Sequence, residues 1–213
     1  MMLRALLLMV LSVIGLQAEA ASVDSKNPYE MIQAVADKTF NRFHADKAKI
    51  DADPNHLKVI VREELMPYID FKYASYKVLG QYLKETSEAE RDRFVTAFEG
   101  YLVATYAQAF TEYTNQTVEY APAANFSDEK IVDVNVRIIE AGRPPIKLLF
   151  KARRLKDDSW KAFDLVAEGV SLLQSKQSEI TTLIRQKGID NVITMLNEKA
   201  AASVAKEAKA AAK

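Results

Sequence analysis

Apolar residues recur every three to four positions through the first half of the chain, alternate strictly in the middle, and return to helical spacing near the end. Asn27-Pro28 reads as a cap followed by proline at the first helical position. Met31, Val35, Phe40 and Phe43 then keep helical spacing, which predicts a helix to about Ala48. Asp53-Pro54 repeats the signal ahead of Leu57, Ile60, Val61, Leu65 and Met66, and Pro67 closes that second helix. Asp70 precedes Phe71, Tyr73, Ala74, Val78 and Leu79, with Gly80 as the stop. The longest helix opens at Thr86 or Ser87, where Glu90 completes a capping box with Ser87. Phe94, Phe98, Tyr101, Leu102, Thr105, Tyr106, Ala109 and Tyr113 line one broad face of it as far as about Asn115.

From there the period is two. Val132, Val134, Val136 and Ile138 alternate with Asp133, Asn135, Arg137 and Ile139, the pattern of a strand with one dry face. The turn Ala141-Gly142-Arg143-Pro144-Pro145 leads into Ile146, Leu148, Phe150 and Ala152, so these two strands form a hairpin. Asp157-Asp158-Ser159 turns the chain into a strand from Trp160 to Val166, and Thr117 to Ala121 adds an earlier one. Helical spacing resumes after Gly169 with Leu172, Ile180, Leu183 and Ile184; Gly188 separates this helix from a last one carrying Ile189, Val192, Ile193 and Leu196. The predicted fold is α+β, with helices packed on one face of a curved antiparallel sheet of about four strands.

The first twenty residues change the picture from a cytoplasmic to an exported protein. Arg4, an apolar run from Ala5 to Leu16, and the small residues Ala18 and Ala20 form a secretory signal peptide with cleavage expected after Ala20. The run is shorter than the ~20 residues a membrane-spanning helix needs. The expected organisation is therefore a signal peptide over 1–20, one domain over 21–199, and an Ala/Lys tail over 200–213 with too little to bury to be more than frayed. The chain has no cysteine, so its core holds without disulfides, and its 29 basic and 29 acidic residues balance, which gives no pull toward nucleic acid.

Candidate chemistry is sparse. His44 and His56 stand in polar surroundings without metal-ligand spacing and read as solvent-facing helix residues. No glycine-rich phosphate loop or nucleophile elbow occurs, and Ser171 stands where it would cap a helix. Asp164 and Glu168 are the strongest candidates for a general base. At a strand end, however, the reading that fits them best is hydrogen bonding that fixes the strand-to-helix corner. The apolar surplus is larger than any polar constellation. Whether the space between sheet and helices is filled by side chains or left open is beyond what periodicity decides.

Three segments, WKAFDLVAEGVSLL at 160–173, PYIDFKYASYKVLGQY at 67–82 and RQKGIDNVITML at 185–196, resemble the MlaC or toluene-tolerance family of periplasmic phospholipid-binding shuttles, a likeness extending over Asn27 to Lys199. The resemblance implies an NTF2-like general shape with a hydrophobic cavity between sheet and helices. It implies a pocket drawn from Tyr73, Val78, Leu79, Phe94, Phe98, Leu102, Tyr106, Phe110, Val134, Val136, Ile138, Ile146, Leu148, Phe150, Val170 and Leu183. It implies a non-enzymatic, monomeric carrier without cofactor or metal, whose cargo is phospholipid with the head group left in water. Its partners would be the MlaA–porin complex at the outer membrane and MlaD of the MlaFEDB complex at the inner membrane, with maintenance of outer-membrane lipid asymmetry as the outcome. Arg143, Arg153 and Arg154, dense around the hairpin of a neutral protein, are the expected docking residues. The competing readings are a small-molecule isomerase or hydrolase using Asp164 or Glu168, and a periplasmic chaperone, for which the neutral charge is unfavourable.

Overall fold

The structure, a computed structural model, describes residues 23–113 and 116–205; the expected signal peptide and the end of the Ala/Lys tail lie outside the described residues. Helix α1 (Pro28–Ala45) begins as its sequence requires, with the Asn27 side chain accepting from the backbone N–H groups of Tyr29 and Glu30 and Pro28 at the first position. At Asp46 the chain turns into a short, mostly exposed helix α2 (Lys47–Ala52), which the apolar pattern does not announce because Ile50 alone of its residues packs, partly buried, against the core.

The second predicted helix is broken into three pieces. Helix α3 (His56–Ile60) passes directly into a π-helical turn over Val61–Leu65 and a 3-10 turn over Met66–Tyr68. Pro67 lacks the backbone donor an α-helix would need there. The wider turn carries Glu64 into the interior, where it meets Lys38 at 3.0 Å and Arg42 at 3.1 Å on α1. Helix α4 (Phe71–Leu79) is capped by Asp70, whose side chain accepts from the N–H of Tyr73, and stops at Gly80 with φ 55°. The Ser87–Glu90 capping box opens α5 (Glu88–Ala109), which gives way to a 3-10 turn at Phe110, short of the expected Asn115.

Among the described residues the strands β1 (Thr117–Tyr120), β2 (Ile131–Ile139), β3 (Ile146–Arg154), β4 (Trp160–Ala167) and β5 (Val170–Ser171) form one antiparallel meander in chain order. The extra strand β5 follows from the two-residue loop Glu168-Gly169: positive φ at both, 48° and 83°, folds the chain tightly back on β4. Helices α6 (Leu172–Lys187) and α7 (Ile189–Ala201) complete the fold, and Gly188 separates them at φ 79°.

Three bodies of core result among the described residues. One is wholly helical and packs Val78 and Leu79 of α4, Phe94 and Phe98 of α5, Ile180 and Ile184 of α6, and Val192 and Leu196 of α7. In it α5 and α7 approach so closely that a Cβ on Gly100 would lie 3.1 Å from that of Ala200. A second joins α1 to the sheet through Met31, Val35, Val132, Val134, Val136 and Trp160, and a third gathers Phe43 of α1, Leu57 and Ile60 of α3, Val61 and Met66 of the turns after it, and Val103 of α5. Fraying does not begin at Ala200. Lys58 Nζ donates to the carbonyls of Ala200 and Ala202, Val204 N–H donates to Asn55 Oδ1, and the Val204 side chain is buried.

His56 is also not a plain surface residue. Its Nε2 lies 2.8 Å from Asp46 Oδ2, and Asp46 further accepts from Arg42 at 2.6 Å and Lys49 at 2.9 Å. The hydrogen bonds from His56, Lys49 and Arg42 hold the Asp46 carboxyl well below the ordinary carboxylate range. A carboxyl depressed in the folded state stabilises fully above its unfolded pKa of about 3.9, and that contribution is lost as pH falls through the folded value. The difference in Tm between wild type and Asp46→Asn is therefore expected to be largest at neutral pH and to close progressively below about pH 4. A gap that stayed constant in thermal melts from pH 7 to pH 2 would show that the charge is not what counts.

Candidate functional site

Between the sheet and the helices lies a cavity of about 360 Å³. Helix α1 supplies one wall through Ile32, Val35, Ala36, Thr39 and Phe40, the spacing that places five residues on a single helical face. Leu65, Tyr68 and Ile69, delivered by the π and 3-10 turns, form a second wall. The end of α5 contributes Tyr106, Ala109 and Phe110, continued by Glu112, Tyr113 and Gln116. The floor is the sheet: Val118 and Tyr120, Val136 and Ile138, Leu148 and Phe150 alternate along its inner face, and Ala162 to Leu165 of β4 join them where a register shift against β3 interrupts the alternation. Register makes these rows continuous, since Tyr120 pairs with Val136 and Val136 with Leu148.

The space stays open for a reason visible in its side chains. Ala36, Ala109 and Ala162 put small residues on three of its walls. Stacking of Phe40 on Tyr113 at 4.5 Å and of Phe43 against Phe110 at 4.9 Å links the ends of α1 and α5. The lining is chemically quiet. Thr39 spends its hydroxyl on the carbonyl of Val35 at 2.7 Å. Tyr106 and Tyr120 are each pushed up to about 12, chiefly by burial and secondarily by the charges of Asp164 and Asp37 respectively, and so stay neutral. No cluster of His, Cys, Asp or Glu able to hold a metal exists among the described residues, and no described helix is long and apolar enough to cross a membrane.

Asp164 and Glu168 take the corner roles expected of them. Asp164 accepts from Ser171 Oγ at 2.8 Å and from the N–H of Leu173 at 3.0 Å, Ser171 Oγ caps α6 by accepting from Gln174, and Glu168 accepts from the N–H of Lys147.

Of the pocket residues expected from the sequence, Tyr106, Phe110, Val136, Ile138, Leu148 and Phe150 line the cavity. The others do not. Val78, Leu79, Phe94 and Phe98 belong to the helical core, with Leu102 and Leu183 at its margin, and Val134 packs between the sheet and α1. Tyr73 stands outside, edge-on to Phe163 and beneath the Arg153 guanidinium. Ile146 and Val170 are 48% and 56% exposed at the sheet end. The physical reason is common to the helical residues: an apolar stripe shows that a helix buries one face, not whether it buries it on another helix or on a sheet. The α1 wall and the Leu65–Ile69 segment went unrecognised for the same reason, although the helical period of α1 was plain.

The hairpin arginines differ in how far the fold itself occupies them. Arg153 donates to Asp70 Oδ2 at 2.5 Å and lies 4.4 Å above the Tyr73 ring, tying β3 to the start of α4. Arg154 donates to the carbonyls of Phe126, Ser127 and Glu129 and covers the Trp160 ring. Both guanidinium groups hold the fold; Arg143 alone of the three is exposed at the turn, paired with Glu140.

Known proteins place this architecture. Residues 33–198 match the MlaC protein family. The chain is 38% identical over 181 residues to the intermembrane phospholipid transport system binding protein MlaC of Haemophilus influenzae, covering 84% of this chain and 85% of that one. It is 22% identical over 170 residues to the toluene tolerance protein ttg2D of Pseudomonas putida, over 79% and 78% of the two chains. The structure of a phospholipid-binding protein from Ralstonia solanacearum in complex with a phospholipid superposes with a TM-score of 0.71 at 20% identity, covering 85% of this chain and 98% of that one, which shows a shared fold. With the family match running over most of its length and a curated relative at 38% identity, the chain belongs to the MlaC family.

Proposed function

We propose that this protein is a periplasmic phospholipid carrier that sheathes acyl chains in the cavity between α1, the end of α5 and the sheet, and leaves the head group in water. The observation that supports this reading most is the apolar cavity itself, about 360 Å³ in volume, walled by alternate sheet residues and one helix face. The name of the Haemophilus influenzae relative, an intermembrane phospholipid transport system binding protein, points the same way. The physical need for such a device is large. At ~0.8 kcal/mol per buried methylene, two chains with about 30 methylenes present a cost on the order of 20 kcal/mol to unaided passage through water. Apolar walls without directional partners accept many chains, so selectivity for head group is low.

The carrier is not an enzyme in this reading, because the candidate base Asp164 is committed to Ser171 and to the start of α6. As a passive, monomeric shuttle it exchanges cargo with the MlaA–porin complex and with MlaD of MlaFEDB, and these membrane partners set the direction that maintains outer-membrane asymmetry. Native mass spectrometry of the mature protein purified without detergent, followed by extraction and lipid identification, tests the reading. Bound phospholipid of mixed head groups is the expected result. A lipid-free protein that also takes up nothing from phospholipid vesicles would overturn it.

A further inference from the structure

Tyr106 and Tyr120, both on the cavity wall, have a hydroxyl without a hydrogen-bond partner among the described residues; the Tyr120 oxygen is enclosed by the fold, which leaves Tyr106 as the one to consider. Tyr106, near the end of α5, is surrounded by protein yet keeps accessible surface, because that surface belongs to the cavity. No described residue hydrogen-bonds its hydroxyl, whereas the hydroxyl of Thr39, on the same cavity, is satisfied by its own helix. For apolar packing alone phenylalanine would serve equally, and a hydroxyl without a partner in an apolar space is costly. The group is therefore best explained by a partner that arrives with the cargo.

The chemistry of that partner is narrow. The phenol is neutral and can donate. Asp164, also on the cavity wall, is close enough for its charge to bear on the phenol, and its carboxylate is fixed by Ser171 Oγ and the Leu173 N–H. An anionic acceptor, whether a phosphate or a free fatty-acid carboxylate, would be set against that negative charge. An uncharged acceptor would not be, and along the buried part of a glycerophospholipid the only such groups are the ester carbonyls where the acyl chains join the glycerol. We propose that the Tyr106 hydroxyl donates a hydrogen bond to an ester carbonyl of the cargo, so that the cavity distinguishes acyl-ester lipids from ether-linked lipids of the same chain length. This inference rests on the carrier reading above.

The experiment offers the mature protein vesicles containing equal amounts of diacyl and dialkyl phosphatidylcholine of matched chain length and resolves the bound species by native mass spectrometry. Wild type is expected to load the diester about three- to tenfold over the diether, the effect of one hydrogen bond, and Tyr106→Phe is expected to load both equally with unchanged Tm. Equal loading by wild type overturns the inference without needing any variant, and so does a preference that survives in Tyr106→Phe. Failure of both lipids to enter overturns the carrier reading itself, an outcome distinct from loss of discrimination.

Discussion

Replacing Ala36 with tryptophan is expected to lower the phospholipid carried per protein molecule by about tenfold or more, with Tm unchanged or raised. Ala36 stands on the cavity face of α1 among Ile32, Val35, Thr39 and Phe40 and is half-buried, so an indole there grows into open space. The helix tolerates the change, since tryptophan costs only a few tenths of a kcal/mol of helix propensity relative to alanine, and the ring gains apolar burial. Lipid loses what the ring gains. Each methylene kept out of the cavity forfeits ~0.8 kcal/mol, so exclusion of only two already costs about a factor of ten in affinity. Lipid extraction and thermal denaturation on the same preparation give both readouts. Undiminished lipid in a folded Ala36→Trp protein would place the acyl chains somewhere other than this cavity.

The parts of this fold that were legible in the sequence are those with local causes. Asn27-Pro28 and the Ser87–Glu90 box start their helices because they satisfy orphan backbone donors within a few residues. The β2–β3 hairpin follows from alternation on both sides of one turn, and its inner set Val132, Val134 and Val136 is buried as the period of two requires. What was not legible depends on contacts between distant segments. The π turn at Val61–Leu65 brings Glu64 to Lys38 and Arg42, which lie more than twenty residues away. Arg153 and Arg154 read as free surface charge until Asp70, Tyr73 and the carbonyls after Phe126 are seen to occupy them. The candidate site was half legible. Val136, Ile138, Leu148 and Phe150 of its floor stood among the residues the family resemblance implied, whereas Val118, Tyr120 and the β4 residues did not, and its α1 wall was missed because Phe40 and Phe98 carry the same signal in sequence and differ only in what their helices face.

That difference has a direct consequence for Phe98. It is 2% exposed, stacked at 5.9 Å on both Phe94 and Tyr101, and it lines no part of the cavity. Phe98→Ala is therefore expected to destabilise the protein by about 3–5 kcal/mol through lost burial and the void left behind, which for a domain of this size lowers Tm by roughly 10 °C. Measured well below the new Tm, phospholipid bound per folded molecule is expected to match wild type, because the helical core of α4 to α7 and the cavity between α1 and the sheet are separate bodies of packing. The pair of variants thus divides the two: Ala36→Trp removes cargo and leaves stability, Phe98→Ala removes stability and leaves cargo. If lipid content fell with stability in Phe98→Ala while the protein remained folded, the acyl chains would have to reach between α4 and α5, and the ring stack at Phe94, Phe98 and Tyr101 would be part of the pocket after all.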